Sequence, residues 1–279
     1  MKGPVKALAY IVLILPLLVA LFPFYWGTVT SFKPFNQIFA NPPIFFPQPV
    51  VFDAYELLFS TVAPISLLNS FYIAATTGII TLVITMLGAY ALARFPFLKG
   101  RNVIFGYLLA APLFPAMIYV ISLYRLLLGV GLINTHMGMI VVYTAYSIPF
   151  SLWILYGYFQ TLPVELEEAA YLDGCGILSV LRRIVVPLSM PAMVAAFVFS
   201  FIVAYGDFVY ANGFLQTTSL QTMSVWIAHQ GGGGQILSKP VQWAATLGGG
   251  VIYTIPAAIL FVFLQRFLVS GLTAGALKE

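Results

Sequence analysis

Charge is what this chain has least of: Asp, Glu, Lys and Arg make up 7% of its 279 residues, against about 25% in soluble domains. With 61% of the residues hydrophobic, a water-soluble globule is excluded, and the fitting solvent is a bilayer. Cysteine occurs once, at Cys175, which excludes an internal disulfide and leaves a small packing residue. His136 and His229 stand far from each other and from any Cys or acid at ligand spacing, so no metal site is expected. No Gly-Lys pair occurs, and without one there is no G-x-x-x-x-G-K-[ST] phosphate loop. A multi-span membrane enzyme would gather His, Asp or Glu at one membrane face, whereas the acids here cluster only at 165–173.

Long apolar runs are what the chain does have. A helix crosses the hydrocarbon core with about 20 apolar residues, and the uncharged stretches hold six such spans, at 9–31, 66–93, 103–122, 137–159, 190–210 and 243–265. The expected architecture is an all-α membrane protein, a single transmembrane domain over 1–279. Its first span is read as retained, because no A-x-A-like cleavage site follows a short apolar core. Cations mark the cytoplasmic side. With both termini inside, Lys2, Lys6, Arg94, Lys99, Arg101, Arg182, Arg183, Arg266 and Lys278 are cytoplasmic, and only Lys33, Arg125 and Lys239 are external. The net charge of +4 is therefore a topology signal, not a nucleic-acid footprint.

Prolines at 34, 42, 43, 47 and 49 make 33–56 an extended external connection. Pro112, Pro115, Pro149 and Pro256 fall inside spans, where each encourages a kink that can open a cavity, or simply reflects the frequency of proline in membrane helices. Gly78, Gly88 and Ala89 permit close helix packing. Residues 211–240 form a second external loop whose Gly231–Gly234 run serves either as flexible spacing or as a tip that reaches a partner.

The charged island at 161–187 is the most specific feature. Pro163 suits a first helical turn, and Glu165, Glu167 and Glu168 favour the positive end of a helix dipole. This predicts a helix from 163 to about 172 with Leu162, Leu166, Ala169 and Ala170 on one apolar face. Gly174 supplies a left-handed residue to end it, with Asp173 in the turn. A second helix is expected over about 177–185, with Ile177, Leu181 and Ile184 on one side, Arg182 and Arg183 at its C-terminal end, and Pro187 as its stop. Three glutamates disfavour an amphipathic loop lying on anionic headgroups, so the expected role is docking to a cytoplasmic partner.

Glu168-Ala169-Ala170, Asp173-Gly174, Ile184 and Pro187 resemble the EAA loop of binding-protein-dependent ABC importer permeases. The C-terminal run from Gln265 to Ala276 is similar to the smaller permease subunit of the maltose-type sugar importers. The resemblance covers essentially the whole chain and implies a type I ABC importer permease fold in the inner (plasma) membrane of a prokaryote. It implies a second, related permease, two copies of a cytoplasmic ABC ATPase that binds ATP and Mg, and an external solute-binding protein that delivers a di- or oligosaccharide. No cofactor would bind this chain. The island would be the coupling helix, with Glu168, Ala169, Ala170, Asp173, Gly174, Ile184 and Pro187 as its residues. Gly271, Leu272, Thr273 and Gly275 would reach the ATPase pair. Cys175 departs from the pattern, where alanine is commoner, as a small-for-small change.

Asp207, near the external end of the fifth span, is a candidate for the translocation path, and so is Asn69. An acid at membrane depth is costly unless paired or hydrated, but at a span end it also suits a structural or interfacial role. Aromatic residues are too abundant, at 16%, to single out a sugar site. The competing reading is a self-contained secondary carrier or channel, which often shows an internal repeat; no repeat is evident between the halves.

Overall fold

The computed structural model describes residues 3–95, 97, 100–110, 115–232 and 240–276, of which 3–11, 102, 109, 116, 230–232, 240 and 268–276 are described by their backbone alone. Among the described residues the regular structure is helical throughout. In chain order the helices are α1 (Gly3–Ser31), α2 (Phe35–Ile38), α3 (Asp53–Phe59), α4 (Ala63–Arg94), α5 (Arg101–Ala110), α6 (Ala116–Gly129) and α7 (His136–Thr161). Then follow α8 (Glu165–Leu172), α9 (Ile177–Val180), a π turn at Leu181–Val185, α10 (Val186–Leu188), α11 (Met190–Gly206), α12 (Val209–Phe214), α13 (Met223–Gly232) and α14 (Pro240–Ala276). Among the described residues four helical stretches are long and apolar enough to cross a membrane: Val12–Ser31, α4, α7 and Val241–Phe267. Ile177–Leu188 and Met190–Gly206 pass that test as a pair bent by 81°, and Met117–Gly129 is a shorter apolar helix.

The 103–122 window contains two helices, α5 and α6, with residues 111–114, Pro112 among them, outside the described residues. Pro115 is extended and stands at the N-cap of α6, where its missing N–H costs nothing. The 211–240 segment carries the end of α12, a 3₁₀ turn at Thr218–Leu220, and α13. Gly231 and Gly232 close α13, while Gly233 and Gly234 lie outside the described residues.

Two compact units divide the chain, Met1–Leu67 with Met223–Pro256, and Leu68–Thr222 with Ala257–Glu279. In the first, glycine lets helices approach: a Cβ on Gly249 would lie 2.8 Å from the Trp226 ring and 3.0 Å from Met223. Ser31 and Tyr55 share a hydrogen bond of 2.8 Å. Lys33 is buried, with Nζ 3.8 Å from the centre of the Trp26 ring, and that burial lowers its pKa.

In the second unit α7 and α11 lie together, joined by a buried hydrogen bond of 3.0 Å between Ser151 and Ser200. Gly78 of α4 faces Phe197, whose ring would be 2.7 Å from an added Cβ. Small residues thus set the helix spacing, as is usual where lipid tails offer no hydrophobic contrast. At the start of α7, Thr135 caps the helix by accepting from the Gly138 N–H at 3.0 Å. A Cβ at Gly138 would overlap the Leu132 carbonyl oxygen, and backbone yields less readily than a side-chain tip. Gly138→Ala is therefore expected to destabilise the fold by about 1–3 kcal/mol, read as a lowered thermal midpoint of the purified protein; an unchanged midpoint contradicts this packing.

Asn134, at φ 57°, is the described non-glycine residue in the left-handed region. Its Oδ1 accepts from the N–H groups of Gln216 (2.8 Å) and Thr217 (2.9 Å). Asn69 does similar work, donating from Nδ2 to the carbonyls of Ser219 (2.8 Å) and Gln221 (3.1 Å). Both asparagines tie the segment after α12 to helices far away in sequence.

Candidate functional site

The island between α7 and α11 is a helix, an elbow and a helix. α8 begins at Glu165, two residues later than the proline suggests, with acids at 165, 167 and 168 in its first turn. It ends in a Schellman motif: the Gly174 N–H donates to the Tyr171 carbonyl at 3.0 Å and the Cys175 N–H to that of Ala170 at 2.9 Å. The motif needs a left-handed residue, and Gly174 provides it at φ 82°. Asp173 is the C-cap, its N–H bonded to the Ala169 carbonyl at 3.1 Å. Cys175 packs beside Ala170 in the core below, the apolar contact that accompanies this cap.

The apolar face of α8 differs from the expected one. Ala170 is buried and Leu162 half-buried against a core built from Tyr90, Leu155, Phe159, Val180, Leu181 and Val185. Leu166 and Ala169 instead point to solvent. Each Leu, Val or Phe sunk in that core contributes about 1.5–3 kcal/mol, so the inner side of the elbow is anchored and the outer side is presented. Leu172 is 90% exposed and Leu178 76%, with Glu168, Asp173 and Gly174 exposed among them.

The second helix also departs from expectation. After α9 the chain widens into the π turn, in which the Val186 N–H reaches back to Leu181. This rotates Leu181 and Val185 into the core and leaves Ile184 half-buried beside it. Pro187 does not stop the helix but lies exposed within α10. The turn to α11 comes at Ser189, which is buried. Proline has no N–H to donate, and a π bulge is a common place for a helix to absorb that defect.

Glu167 joins this island to α4 in a way the sequence reading did not see. Its Oε1 accepts from Arg94 Nε at 2.7 Å and its Oε2 from the Tyr90 hydroxyl at 2.7 Å. Arg94 Nη2 also donates to the Leu162 carbonyl at 3.2 Å. The Glu167 side chain is 4% and the Arg94 side chain 11% exposed. The opposed charges and the shared hydrogen bonds offset the desolvation of burying both. A faint signal existed, since a lone Arg at the end of a predicted span invites an acid.

Asp207 breaks the helix between α11 and α12. Its Oδ2 accepts from the Tyr143 hydroxyl at 2.8 Å and from the N–H groups of Tyr210 (2.9 Å) and Ala211 (3.2 Å). It also lines a cavity of about 370 Å³ with Tyr143, Tyr146 and Tyr210. A second cavity of about 370 Å³ adjoins through Tyr146 and Tyr210, with Tyr107, Tyr119 and Pro149 in its walls. Asn69 is not among the residues lining either cavity. Gly271, Leu272, Thr273 and Gly275 fall in the last turns of α14, where side chains lie outside the described residues. Among the described residues no cluster of His, Cys, Asp and Glu is arranged to hold a metal.

A chain whose described regular structure is all helical, with long apolar helices and an elbow packed between α7 and α11, has the architecture of an ABC importer permease. A solved chain of a bacterial ABC transporter that imports the acidic polysaccharide alginate has this fold, with a TM-score of 0.80 at 20% identity over 94% of this chain and 95% of that one. The chain belongs to the family of binding-protein-dependent transport system inner membrane components, whose model matches residues 84–274. It is similar to the trehalose/maltose transport system permease protein MalG of Thermococcus litoralis, 36% identical over 95% of this chain and 94% of that protein. The diacetylchitobiose uptake system permease protein DasC of Streptomyces coelicolor is 32% identical over 92% and 91% of the two chains. The protein is thus a multi-pass inner-membrane transport subunit.

Proposed function

We propose that this chain is a permease subunit of an ABC importer that takes up a di- or oligosaccharide delivered by an external solute-binding protein. Relatives named for trehalose, maltose and diacetylchitobiose transport support the sugar class. The chain spans the membrane six times with both termini cytoplasmic. It pairs with a second, related permease and with two copies of an ABC ATPase, where ATP and Mg bind. The observation that carries the coupling role is the exposed elbow at Glu168–Gly174, anchored on its inner side by Ala170 and by the Arg94–Glu167 pair. Glu168, Ala169, Asp173 and Gly174 meet the ATPase, and Ala170, Ile184 and Pro187 shape the support beneath them. Gly271, Leu272, Thr273 and Gly275 reach the ATPase pair from the C-terminal end. Asp207 lies on the sugar path, and Asn69 supports that path by tethering the segment after α12.

Closure of the ATPases moves the elbow, and the buried ion pair conveys that movement to α4. Sugar uptake by proteoliposomes holding the complete complex is expected to require internal ATP and the external binding protein. Uptake by the purified chain alone, without ATP, would sink this reading in favour of a secondary carrier.

A further inference from the structure

Two cavities of the Leu68–Thr222 unit share Tyr146 and Tyr210 as walls, and side by side they offer an aromatic cleft. Among its described lining residues Asp207 alone carries charge, and that charge is negative. We propose that this cleft is a transport subsite for neutral sugars, in which Asp207 excludes acidic ones. The proposal rests on the sugar-permease reading above and adds the substrate charge and the residues that select it.

Small-ligand sites are concave and mostly apolar, with a few placed polar groups, and the cleft has that make-up. Tyrosine rings offer flat apolar faces to the C–H side of a pyranose and hydroxyls to its rim. A carboxylate has two oxygens with about four acceptor positions, so it suits a substrate whose polar groups are all hydroxyl donors. Tyr143 and the backbone of Tyr210 and Ala211 hold Asp207 in place, so the acceptor is preorganised. A uronate or sulfonate would set a second negative charge beside it, in surroundings of low dielectric where like charges repel strongly. Tyr146 is 36% and Ile202 57% exposed, so both stand at the outer edge of the cleft.

The test is equilibrium dialysis of the complete transporter in nanodiscs, without its binding protein. The probes are labelled maltose, trehalose, and the maltose analogue whose terminal hydroxymethyl group is oxidised to a carboxylate. The wild type is expected to bind at least one neutral sugar and to bind the acidic analogue at least about tenfold more weakly than maltose. Asp207→Asn keeps a residue that caps as well as Asp and removes the charge, so it is expected to close that gap. Tyr146→Ala removes a wall at the rim, outside the buried core, and is expected to weaken neutral-sugar binding about tenfold. The subsite is overturned if the wild type binds the acid as well as maltose, if Asp207→Asn leaves the gap unchanged, or if Tyr146→Ala binds like the wild type. It is also overturned if no neutral probe binds to a transporter that takes one up when its binding protein is present. A complete complex that takes up no sugar with its binding protein would instead overturn the sugar-permease reading itself.

Discussion

Arg94→Ala is expected to destabilise the permease by about 3–5 kcal/mol, because the Glu167 carboxylate would stay buried without its cation. The residue left behind is only 4% exposed and cannot turn outward without pulling α8 off its core. Arg94→Lys keeps the charge, but a single ammonium cannot reproduce the forked contact from Nε to Glu167 and Nη2 to Leu162, so an intermediate loss is expected. The double variant Arg94→Leu with Glu167→Leu removes both charges and should recover most of the stability. Thermal unfolding of the purified complex reads all three. If Arg94→Ala and the double variant unfold at the same temperature, the pair does not hold the island. The double variant is also expected to use more ATP per sugar moved than the wild type, since a pair of leucines packs but does not fix direction as two hydrogen bonds do. An unchanged ratio would leave the pair a stabilising role only.

Leu172→Glu is expected to weaken association with the ATPase subunit by about 2–4 kcal/mol, roughly 30- to 1000-fold, while leaving the chain's own fold intact. Leu172 is 90% exposed, so its replacement costs little within this chain, yet it stands beside the Gly174 bend where a partner would grip. Glu168→Lys probes the same surface by reversing a charge. Co-purification of the ATPase with tagged permease, together with ATP-dependent uptake, measures both. Full recovery of the ATPase with Leu172→Glu would mean that the elbow is not the docking surface. The two experiments separate roles that a simple loss of transport would merge: Leu172 is on the outer side of the elbow, whereas Arg94 is bonded beneath it.

Much of the island was legible because its signals are local. A proline just ahead of the helix, acids at the positive end of a dipole, and a glycine followed by a small residue that packs back specify α8 and its elbow within a dozen residues. The face of α8 was misjudged for an equally physical reason. Spacing alone shows which residues share a side of a helix, but the choice between Leu166 and Ala170 for burial is made by Phe159 and Val180, which come from other elements. The π turn at Leu181–Val185 adds the same kind of error, since one extra residue in a turn rotates everything after it. Glu167 looked like Glu165 and Glu168 because its partners, Arg94 and Tyr90, lie more than seventy residues earlier.

Composition and hydrophobic run length alone determined that this is a helical membrane protein, because a bilayer leaves so few ways to satisfy backbone hydrogen bonds. Local helix and turn chemistry alone determined where the elbow after α8 bends. Only the tertiary structure decided which glutamate is buried, that Asn69 and Asn134 hold a distant segment, and which of many tyrosines gather around Asp207. Those choices depend on contacts between residues far apart in sequence, and a pattern with a period of a few residues carries no information about them.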